Sequence, residues 1–393
     1  MAPPSTPVKT GVIGVGMSAV TFHVPILLAL PDYYVVHSVL ERKATDEAKK
    51  TGGTIGAKFS LQGVKVANTL EEFLADPELQ LVRSSLPALN ADRPELFKVI
   101  ITTPNETHYP FAKAALEAKK HVLLEKPVTP TYAEARELDA LAKSQGVILS
   151  AFQNRRWDSD FLTVKKLIGE GKLGDVVEFE SHFDRYRPSP RTTAFWREAA
   201  GPGAGHTFDL GPHLIDQVLQ LFGRPNRLTG FIQNIRGFGG PAVDDTFLIH
   251  FHYDRQPFPV RATVAASSLS AKKAQLRFNV RGTKGSFEKR GLDPQEDQLK
   301  ARKPAPLDPR FGRETEDIFG TLDTVTEDHG AIRSETVTSE KGAYNLLFEN
   351  LASAIASSAE LQVKFEQSAA VIQMIELAML SSREGRTIEV PPA

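Results

Sequence analysis

The feature that most constrains this chain is a β-α-β pattern within Val99–Pro127. An apolar, β-branched run gives way to a polar break at Thr102–Asn105, a helical segment at about Thr107–Lys119 and a second apolar run at His121–Leu124. Two buried parallel strands joined by a helix belong to an α/β fold. Ligands of an open α/β sheet bind outside the carboxyl ends of its strands. We therefore predict that Lys126, which follows the second strand, lies in a cleft.

A glycine-rich turn near the start of the chain predicts a dinucleotide-binding fold. A strand at Lys9–Ile13 runs into this turn, and a helix and a second strand at Tyr34–Leu40 follow. In such a turn Gly14 permits the tight bend, Gly16 lets the backbone approach a pyrophosphate, and Ala19 supplies a small residue where helix meets strand. The alternative is a tight turn without a ligand, which the elements that follow disfavour.

Two adjacent residues at the end of the second strand give opposite indications of cofactor choice. Glu41 would accept hydrogen bonds from the adenosine ribose and repel a 2′-phosphate, which favours NAD. Arg42 would pair with that phosphate, which favours NADP. From the sequence we expect both cofactors to be used, with NAD preferred.

The strand that ends at Thr103 is interrupted in the sequence. A strand should begin at Leu79, but the segment Val82–Lys98 carries Pro87 and Pro94, which a central parallel strand does not accept. Without this segment the flanking residues read as one unbroken strand. Two interpretations are open, a genuine surface loop and translated intron sequence. Under both we expect the segment to lie outside the sheet.

Two domains are predicted. A helix at Tyr132–Gln145 and a strand at Val147–Phe152 complete a doubly wound Rossmann domain over residues 1–152, with 82–98 as an insert. Residues 153–393 should form a C-terminal α/β domain for substrate binding and oligomerisation. Within it, alternating apolar and polar residues over Arg227–Glu288 predict a mostly antiparallel sheet. The polar, proline-bearing stretch Asp293–Pro309 is interpreted as a long loop.

Two side chains of the second domain are candidates for chemistry. A glycine-rich loop at Gly201–Gly205 leads into a predicted helix that carries Asp209 and His213. Positions four residues apart share one helical face, so the two side chains can address one point. A lone histidine on a helix is usually structural, and the preceding acid and loop favour the functional interpretation.

Composition narrows the class of partner and the compartment. With 47 basic and 48 acidic residues there is no surplus charge to attract nucleic acid or an anionic membrane, so a small molecule is the expected partner. The absence of cysteine excludes disulfides and zinc-thiolate sites, and the ten histidines show no spacing typical of a metal site. No apolar run approaches the length of about 20 residues that spans a bilayer, and the start lacks a signal peptide's apolar core. We expect a cytoplasmic protein.

Four motifs together resemble a known family. The glycine turn, TTPNETH at 102–108, EKP at 125–127 and DLGPHLIDQ at 209–217 resemble the glucose-fructose oxidoreductase, inositol dehydrogenase and rhizopine catabolism (Gfo/Idh/MocA) oxidoreductases. The segments NRRWDSDFLTVKKLI, FESHFDRYRP, FWRE and GTKGSFEKRGLDPQED are similar to the branch that contains bacterial NADP-dependent scyllo-inositol dehydrogenases. The resemblance covers nearly the whole chain apart from the insert and both ends. This chain departs from that branch at Glu41, where the inositol dehydrogenases carry serine.

The resemblance implies the catalytic and cofactor-binding residues. Lys126 would be the catalytic lysine and also reach the nicotinamide ribose, while Asp209 and His213 would border the reacting carbon. His213 would carry the hydroxyl proton, a role that suits imidazole with its unperturbed pKa of about 6.5. The implied cofactor contacts are Gly14, Gly16, Met17, Ser18, Glu41, Arg42, Thr103, Pro104, Asn105, His108, Glu125 and Lys126.

A polyol pocket and an activity are implied as well. The implied substrate contacts are Arg155, Arg156, Trp157, Tyr186, Asp209 and His213. For the arginines and aromatic residues the alternative is packing between domains, and for Trp196 and Arg197 the two interpretations weigh equally. The expected activity is hydride transfer between NAD or NADP and a CH–OH group of a cyclic polyol or sugar, by a homodimer or a tetramer. The alternative is a non-catalytic, dinucleotide-binding regulator of the same fold.

Overall fold

A computed structural model describes residues 2–76, 97–190, 198–240, 243–326 and 330–392. Within these ranges the chain forms a parallel sheet in its first part and a larger, mostly antiparallel sheet in its second part. Both are flanked by helices. The fold class predicted from the sequence is confirmed.

The first sheet, here called the Rossmann sheet, has six parallel strands in the order β3-β2-β1-β4-β5-β6. Its strands are β1 Val8–Ile13, β2 Tyr34–Leu40, β3 Lys65–Ala67, β4 Phe97–Ile101, β5 His121–Leu124 and β6 Leu149–Ala151. The order reverses between β1 and β4, so the carboxyl ends of these two strands frame a crevice. Residues such as Ile100 and Leu123 are fully buried because helices cover both faces of the sheet.

Six α-helices accompany the Rossmann sheet. They are α1 Val24–Ala29, α2 Asp46–Lys50, α3 Gly53–Phe59, α4 Leu70–Leu74, α5 His108–Glu117 and α6 Tyr132–Gln145. A π-helical turn at Ala19–His23 precedes α1, and a 3-10 turn at Asn105–Thr107 precedes α5. The α6 helix has the predicted bounds, because Thr131 and Glu134 form a capping box at its start and Gly146 ends it in the left-handed conformation.

The second sheet, here called the C-terminal sheet, has nine strands in the order β14-β13-β12-β11-β7-β10-β9-β8-β15. Its strands are β7 Val176–His182, β8 Arg227–Gln233, β9 Thr246–Tyr253, β10 Val260–Ser267, β11 Leu276–Gly282, β12 Gly285–Arg290, β13 Gly320–Val325, β14 Ile332–Val337 and β15 Ile388–Glu389. The β7–β10 pair is parallel, and the other neighbouring pairs are antiparallel. Burial alternates along β9, as expected for a sheet with one covered face.

Six further helices cover the C-terminal sheet or join it to the Rossmann part. They are α7 Ser159–Gly169, α8 His206–Asp209, α9 Gly211–Phe222, α10 Gln295–Ala301, α11 Asn345–Ile355 and α12 Phe365–Glu384. The α12 helix contacts β8 and α9 as well as α6, and so ties the two parts together. In the described part of the chain, no helix combines the length and apolar character needed to cross a membrane.

Two expectations about local structure were wrong. The stretch Asp293–Pro309 contains α10, whose first residue, Gln295, is fully buried and donates a hydrogen bond to the Trp157 carbonyl oxygen at 3.0 Å. The expectation therefore fails for the first half of the stretch, whereas residues 302–309 lie outside helices and strands and are mostly exposed, as a loop would be. Phe97 and Lys98, the last two residues of the expected insert, lie in β4, where Lys98 pairs with Thr10 and His121. Residues 82–96 and the strand start expected at Leu79 lie outside the described ranges.

Candidate active site

A cleft of about 1030 Å³ lies between the Rossmann part and the second half of the chain. The glycine turn after β1 and the segment after β5 form one wall, with Gly16 and Lys126 on its surface. Residues of α8 and α9, including Asp209 and His213, form the opposite wall. The cleft therefore brings together side chains from the two halves of the sequence.

The glycine turn leaves room for a dinucleotide backbone. Gly14 has φ +96°, and a Cβ at this position would lie 3.0 Å from the Thr102 hydroxyl oxygen, so a larger residue is excluded. A Cβ at Gly16 would have no atom within 4 Å, and the residue lines the cleft. The open space beside the Gly16 backbone fits the pyrophosphate that such turns bind.

The π-helical turn after the glycine turn holds the acid that precedes Lys126. Ser18 donates a hydrogen bond to the buried Glu125 carboxylate, and His23 Nε2 lies 2.8 Å from Glu125 Oε1. Burial raises the pKa of Glu125, but the hydrogen bonds from His23 and Ser18 outweigh it, so the pKa is lowered overall. Glu125 is thus a fixed carboxylate, which also accepts the Lys126 backbone N–H at 3.1 Å.

Lys126 connects the two walls of the cleft. Its Nζ donates to the Asp209 backbone oxygen at 2.6 Å and to Asp209 Oδ1 at 3.1 Å. The two side chains are 16% and 29% exposed, so the ion pair lies at the cleft surface and is accessible to a ligand. The ammonium is held by its partner and remains positioned for a developing negative charge.

His213 is a buried imidazole in the first turn of α9. Burial lowers its pKa well below 6.5, the charges of Lys126 and Arg155 lower it further, and Asp209 acts in the opposite direction. The Nδ1 atom has no hydrogen-bond partner in the ranges that the structure describes. His213 is therefore neutral near pH 7 and able to accept a proton.

The expectation of a single helix carrying Asp209 and His213 was wrong. The α8 helix ends at Asp209, and α9 begins at Gly211. Pro212 explains the break, because in a continuous helix its ring would clash with the carbonyl of Phe208, four residues earlier. Asp209 and His213 nevertheless both line the cleft.

The turn after β4 supplies further residues of the cleft wall. Three predicted cofactor contacts, Thr103, Pro104 and Asn105, lie there; His108 begins α5, and Met17 lines the same cleft. Asn105 Nδ2 donates to the Gly203 carbonyl oxygen at 2.7 Å, which joins this wall to the glycine-rich loop of the other half. His108 Nδ1 lies 2.7 Å from the Pro127 carbonyl oxygen, so His108 also holds the segment that carries Lys126.

The predicted substrate residues are only partly brought together. Arg155 lines the cleft and bonds to Asp158 at 3.2 Å and to Glu296 at 2.6 Å. Arg156 instead binds both carboxylate oxygens of Asp216, at 2.8 and 2.7 Å, and borders a separate cavity of about 720 Å³ together with Trp157. The four residues from Asn154 to Trp157 form a 3-10 turn, so neighbouring side chains point in different directions. The expectation that Arg156 and Trp157 line the cleft is corrected.

The arginines on either side of Tyr186 are among the cleft residues that sequence reasoning missed. Tyr186 itself is 60% exposed and lies outside the cleft, whereas Arg185 and Arg187 line it. Side chains alternate in extended backbone, so a tyrosine facing outward places both neighbours inward. Burial lowers the pKa of Arg185, and attraction to Asp209 opposes this. The alternation within DRYRP was the signal that could have identified them.

Several other positions complete the description. Glu296 and Lys300 of α10 also line the cleft and were not anticipated, because their segment was interpreted as a loop. Glu41 and Arg42 lie in the turn after β2, and Trp196 and Arg197 fall outside the described residues. In the described ranges, no group of three or more His, Asp or Glu side chains is arranged to hold a metal ion.

Sequence comparison assigns both halves of the chain to oxidoreductase domains. Residues 8–153 match the profile described as "Oxidoreductase family, NAD-binding Rossmann fold" (GFO_IDH_MocA), and residues 165–390 match "Oxidoreductase family, C-terminal alpha/beta domain" (GFO_IDH_MocA_C). The matches lie on either side of the cleft.

Individual relatives align with this chain over almost its full length. An uncharacterized oxidoreductase of Schizosaccharomyces pombe is 39% identical, with 97% of this chain and 98% of the relative covered. The scyllo-inositol 2-dehydrogenase (NADP(+)) of Bacillus subtilis is 36% identical, with 97% and 95% covered. Among solved structures, a putative oxidoreductase from Bacillus subtilis superimposes with a TM-score of 0.84 at 34% identity and full coverage of both chains.

Proposed function

We propose that this chain oxidises a CH–OH group of a cyclic polyol or sugar. The chain belongs to the Gfo/Idh/MocA family of oxidoreductases and is an enzyme with an NAD-binding Rossmann domain. The observation that carries the proposal is the meeting of Lys126, Asp209 and a neutral His213 in one cleft beside the glycine turn. The retention of Lys126, Asp209 and His213, and relatives named as dehydrogenases, favour an enzyme over the non-catalytic regulator.

The side chains supply what alcohol oxidation needs besides a hydride acceptor, which is the chemistry that a bound nicotinamide provides. His213 takes the hydroxyl proton, because its ring is neutral at neutral pH and lines the cleft. The Lys126 ammonium stabilises negative charge that develops on the carbinol oxygen. Asp209 orients the Lys126 ammonium through the contacts at 2.6 and 3.1 Å.

The rest of the cleft suits a substrate with many hydroxyl groups. Arg155, Arg185 and Arg187 offer several N–H donors, and Asp209 and Glu296 offer carboxylate acceptors on the same surface. A ring of hydroxyls both donates and accepts, so it can satisfy both kinds of group. The name of the Bacillus subtilis relative supports an inositol-like substrate for this chain as well.

The test is turnover with a panel of cyclic polyols and aldoses, followed by absorbance at 340 nm with each cofactor. We expect reduction of the cofactor by at least one inositol or pyranose and loss of that activity in Lys126→Met. Trp157→Phe is a matched control, because Trp157 borders the separate cavity. Turnover by Lys126→Met at the wild-type rate would contradict the proposal.

We also propose a homodimer formed through the outer face of the C-terminal sheet. Phe231 on β8 is 54% exposed and Ile235 just beyond the strand is 42% exposed, and such a dimer would cover these apolar side chains. Light scattering of the purified protein should give twice the mass of the 43.1 kDa chain, and a monomer mass would reject the dimer.

A further inference from the structure

The turn after β2 holds Glu41 in a way that its position in the sequence does not reveal. Both carboxylate oxygens are occupied by one residue of α3: the Thr54 backbone N–H donates to Oε2 at 2.8 Å, and the Thr54 hydroxyl donates to Oε1 at 2.6 Å. Gly53 allows this approach, since a Cβ there would lie 2.5 Å from Glu41 Oε2. The carboxylate is therefore bound within the protein.

The direction of the Glu41 side chain follows from the sheet order. The Cβ position of Gly53 is 3.2 Å from Val66 Cγ2 as well as close to Glu41, and Val66 belongs to β3. In the Rossmann sheet β3 lies on one side of β2, while β1 and its glycine turn lie on the other. The Glu41 carboxylate thus lies against the start of α3, on the side of β2 that faces β3.

The same turn presents two cations to solvent. Asn68 Nδ2 donates to the Glu41 backbone oxygen at 2.9 Å and to the Ala44 backbone oxygen at 3.1 Å, and these bonds fix the turn. Arg42 and Lys43, between them, are exposed. Neither side chain has a hydrogen-bond or ion-pair partner within the part of the chain that the structure describes. The turn accordingly offers two unpaired cations and one acid that is already engaged.

We propose that Thr54 sets the cofactor preference by holding Glu41 away from the adenosine ribose, so that Arg42 and Lys43 bind the 2′-phosphate of NADP. This replaces the preference for NAD that the sequence alone suggested. In that expectation Glu41 was a free acceptor at the strand end, whereas the structure satisfies both of its oxygens with Thr54. Thr54 is a positioning residue, because it acts on the cofactor through Glu41.

The size of the effect follows from the chemistry of phosphate binding. An arginine recognises a phosphate through charge-assisted, often bidentate hydrogen bonds, which are about twice as strong as neutral ones. We therefore expect NADP⁺ to bind at least about tenfold more tightly than NAD⁺. Because the site is exposed, this preference should decline as salt is raised.

The experiment measures binding of the adenosine half alone. Dissociation constants of adenosine 2′,5′-bisphosphate and adenosine 5′-monophosphate are determined by calorimetry for the full chain, and the readout is their ratio. Neither probe contains nicotinamide, so the result is independent of hydride transfer. If the protein oxidises no polyol but the ratio of dissociation constants responds to the variants as expected, only the proposed activity is rejected.

Four variants make the test specific. Arg42→Ala should weaken the bisphosphate at least about tenfold and leave the monophosphate within about twofold. Thr54→Val, which removes only the hydroxyl donor, should reduce the ratio about three- to tenfold, and Thr54→Ser should restore it. Arg333→Ala, on the edge strand β14 of the other sheet, is the matched control and should change neither constant.

Three results would overturn the proposal. The first is a monophosphate that binds as tightly as the bisphosphate in the wild type. The second is an equal loss of both ligands in Arg42→Ala. The third is the same ratio in Thr54→Val and Thr54→Ser, which would mean that the Thr54 hydroxyl does not control Glu41.

Discussion

Lys98 is a buried lysine in a sheet, and its replacement should stabilise the protein. It is 0% exposed in β4, between β1 and β5, and its Nζ has no hydrogen-bond partner in the described ranges. The Nζ lies 4.0 Å from the centre of the Tyr34 ring and 5.3 Å from that of Phe348. Burial lowers the pKa of Lys98 well below its ordinary value. The folded protein therefore holds this amine without its proton or with an unsolvated charge.

Two contributions set how much the free energy of unfolding should change when Lys98 is replaced. A buried donor without a partner costs about 1 to 3 kcal/mol relative to an apolar group of the same shape. In addition, because the pKa of Lys98 is lower in the folded state, the unfolded chain binds the proton more readily, so the stability of the wild type rises with pH up to the ordinary lysine pKa of about 10.4. The limiting slope for one proton is about 1.4 kcal/mol per pH unit. Methionine has a similar length and takes up no proton.

The assay is denaturant unfolding of the wild type and Lys98→Met at pH 7, 8.5 and 10. We expect Lys98→Met to raise the free energy of unfolding by about 1 to 3 kcal/mol or more at pH 7, with the gain shrinking as pH rises. Lys172→Met, at an exposed position, is the control and should change stability by less than about 0.5 kcal/mol. A variant no more stable than the wild type, or a gain in stability that is constant across pH, would contradict this prediction.

Three further outcomes are expected. Arg185→Ala should raise the KM for the polyol about tenfold with a smaller change in kcat, whereas Tyr186→Phe should change neither. Steady-state kinetics of both variants checks this, and equal effects would mean that Arg185 does not face the substrate more closely than Tyr186. Because the pKa of His213 is lowered, its base form persists as pH falls, so kcat/KM measured across pH should decline only below pH 6.5. A decline centred above that value would assign the proton to another group. Removing Val82–Lys98 puts Leu81 in place of the buried lysine and should raise the melting temperature. A lower melting temperature would favour a genuine loop, and a spliced transcript that retains these codons would reject the intron interpretation.

Local pattern was enough to predict the framework. The strands His121–Leu124 and Tyr34–Leu40 and the helix Tyr132–Gln145 have the predicted bounds, because periodicity, β-branching and capping residues agree there. The glycine turn and the two walls of the cleft were also anticipated, since strand ends and motifs fix where such residues lie.

Contacts between distant residues were not predictable. The capture of Glu41 by Thr54 depends on how α3 packs beside β3, and the Ser18 and His23 bonds to Glu125 depend on a π-helical turn. The direction of Arg156 is decided by its partner Asp216, 60 residues later in the chain. Such pairings are set by tertiary packing and leave no periodic signal in the sequence.

We expect the cleft that Lys126 and His213 line to oxidise a carbinol carbon by hydride transfer to bound nicotinamide. A polyol that the protein is found to oxidise is deuterated at its carbinol carbons and supplied with oxidised cofactor. The reduced cofactor is then examined by mass spectrometry and NMR. We expect one deuterium at C4 of the nicotinamide, and a rate reduced by about 10² to 10⁴ in His213→Ala with cofactor affinity retained. Reduced cofactor without deuterium at C4, or near-normal turnover by His213→Ala, would contradict it.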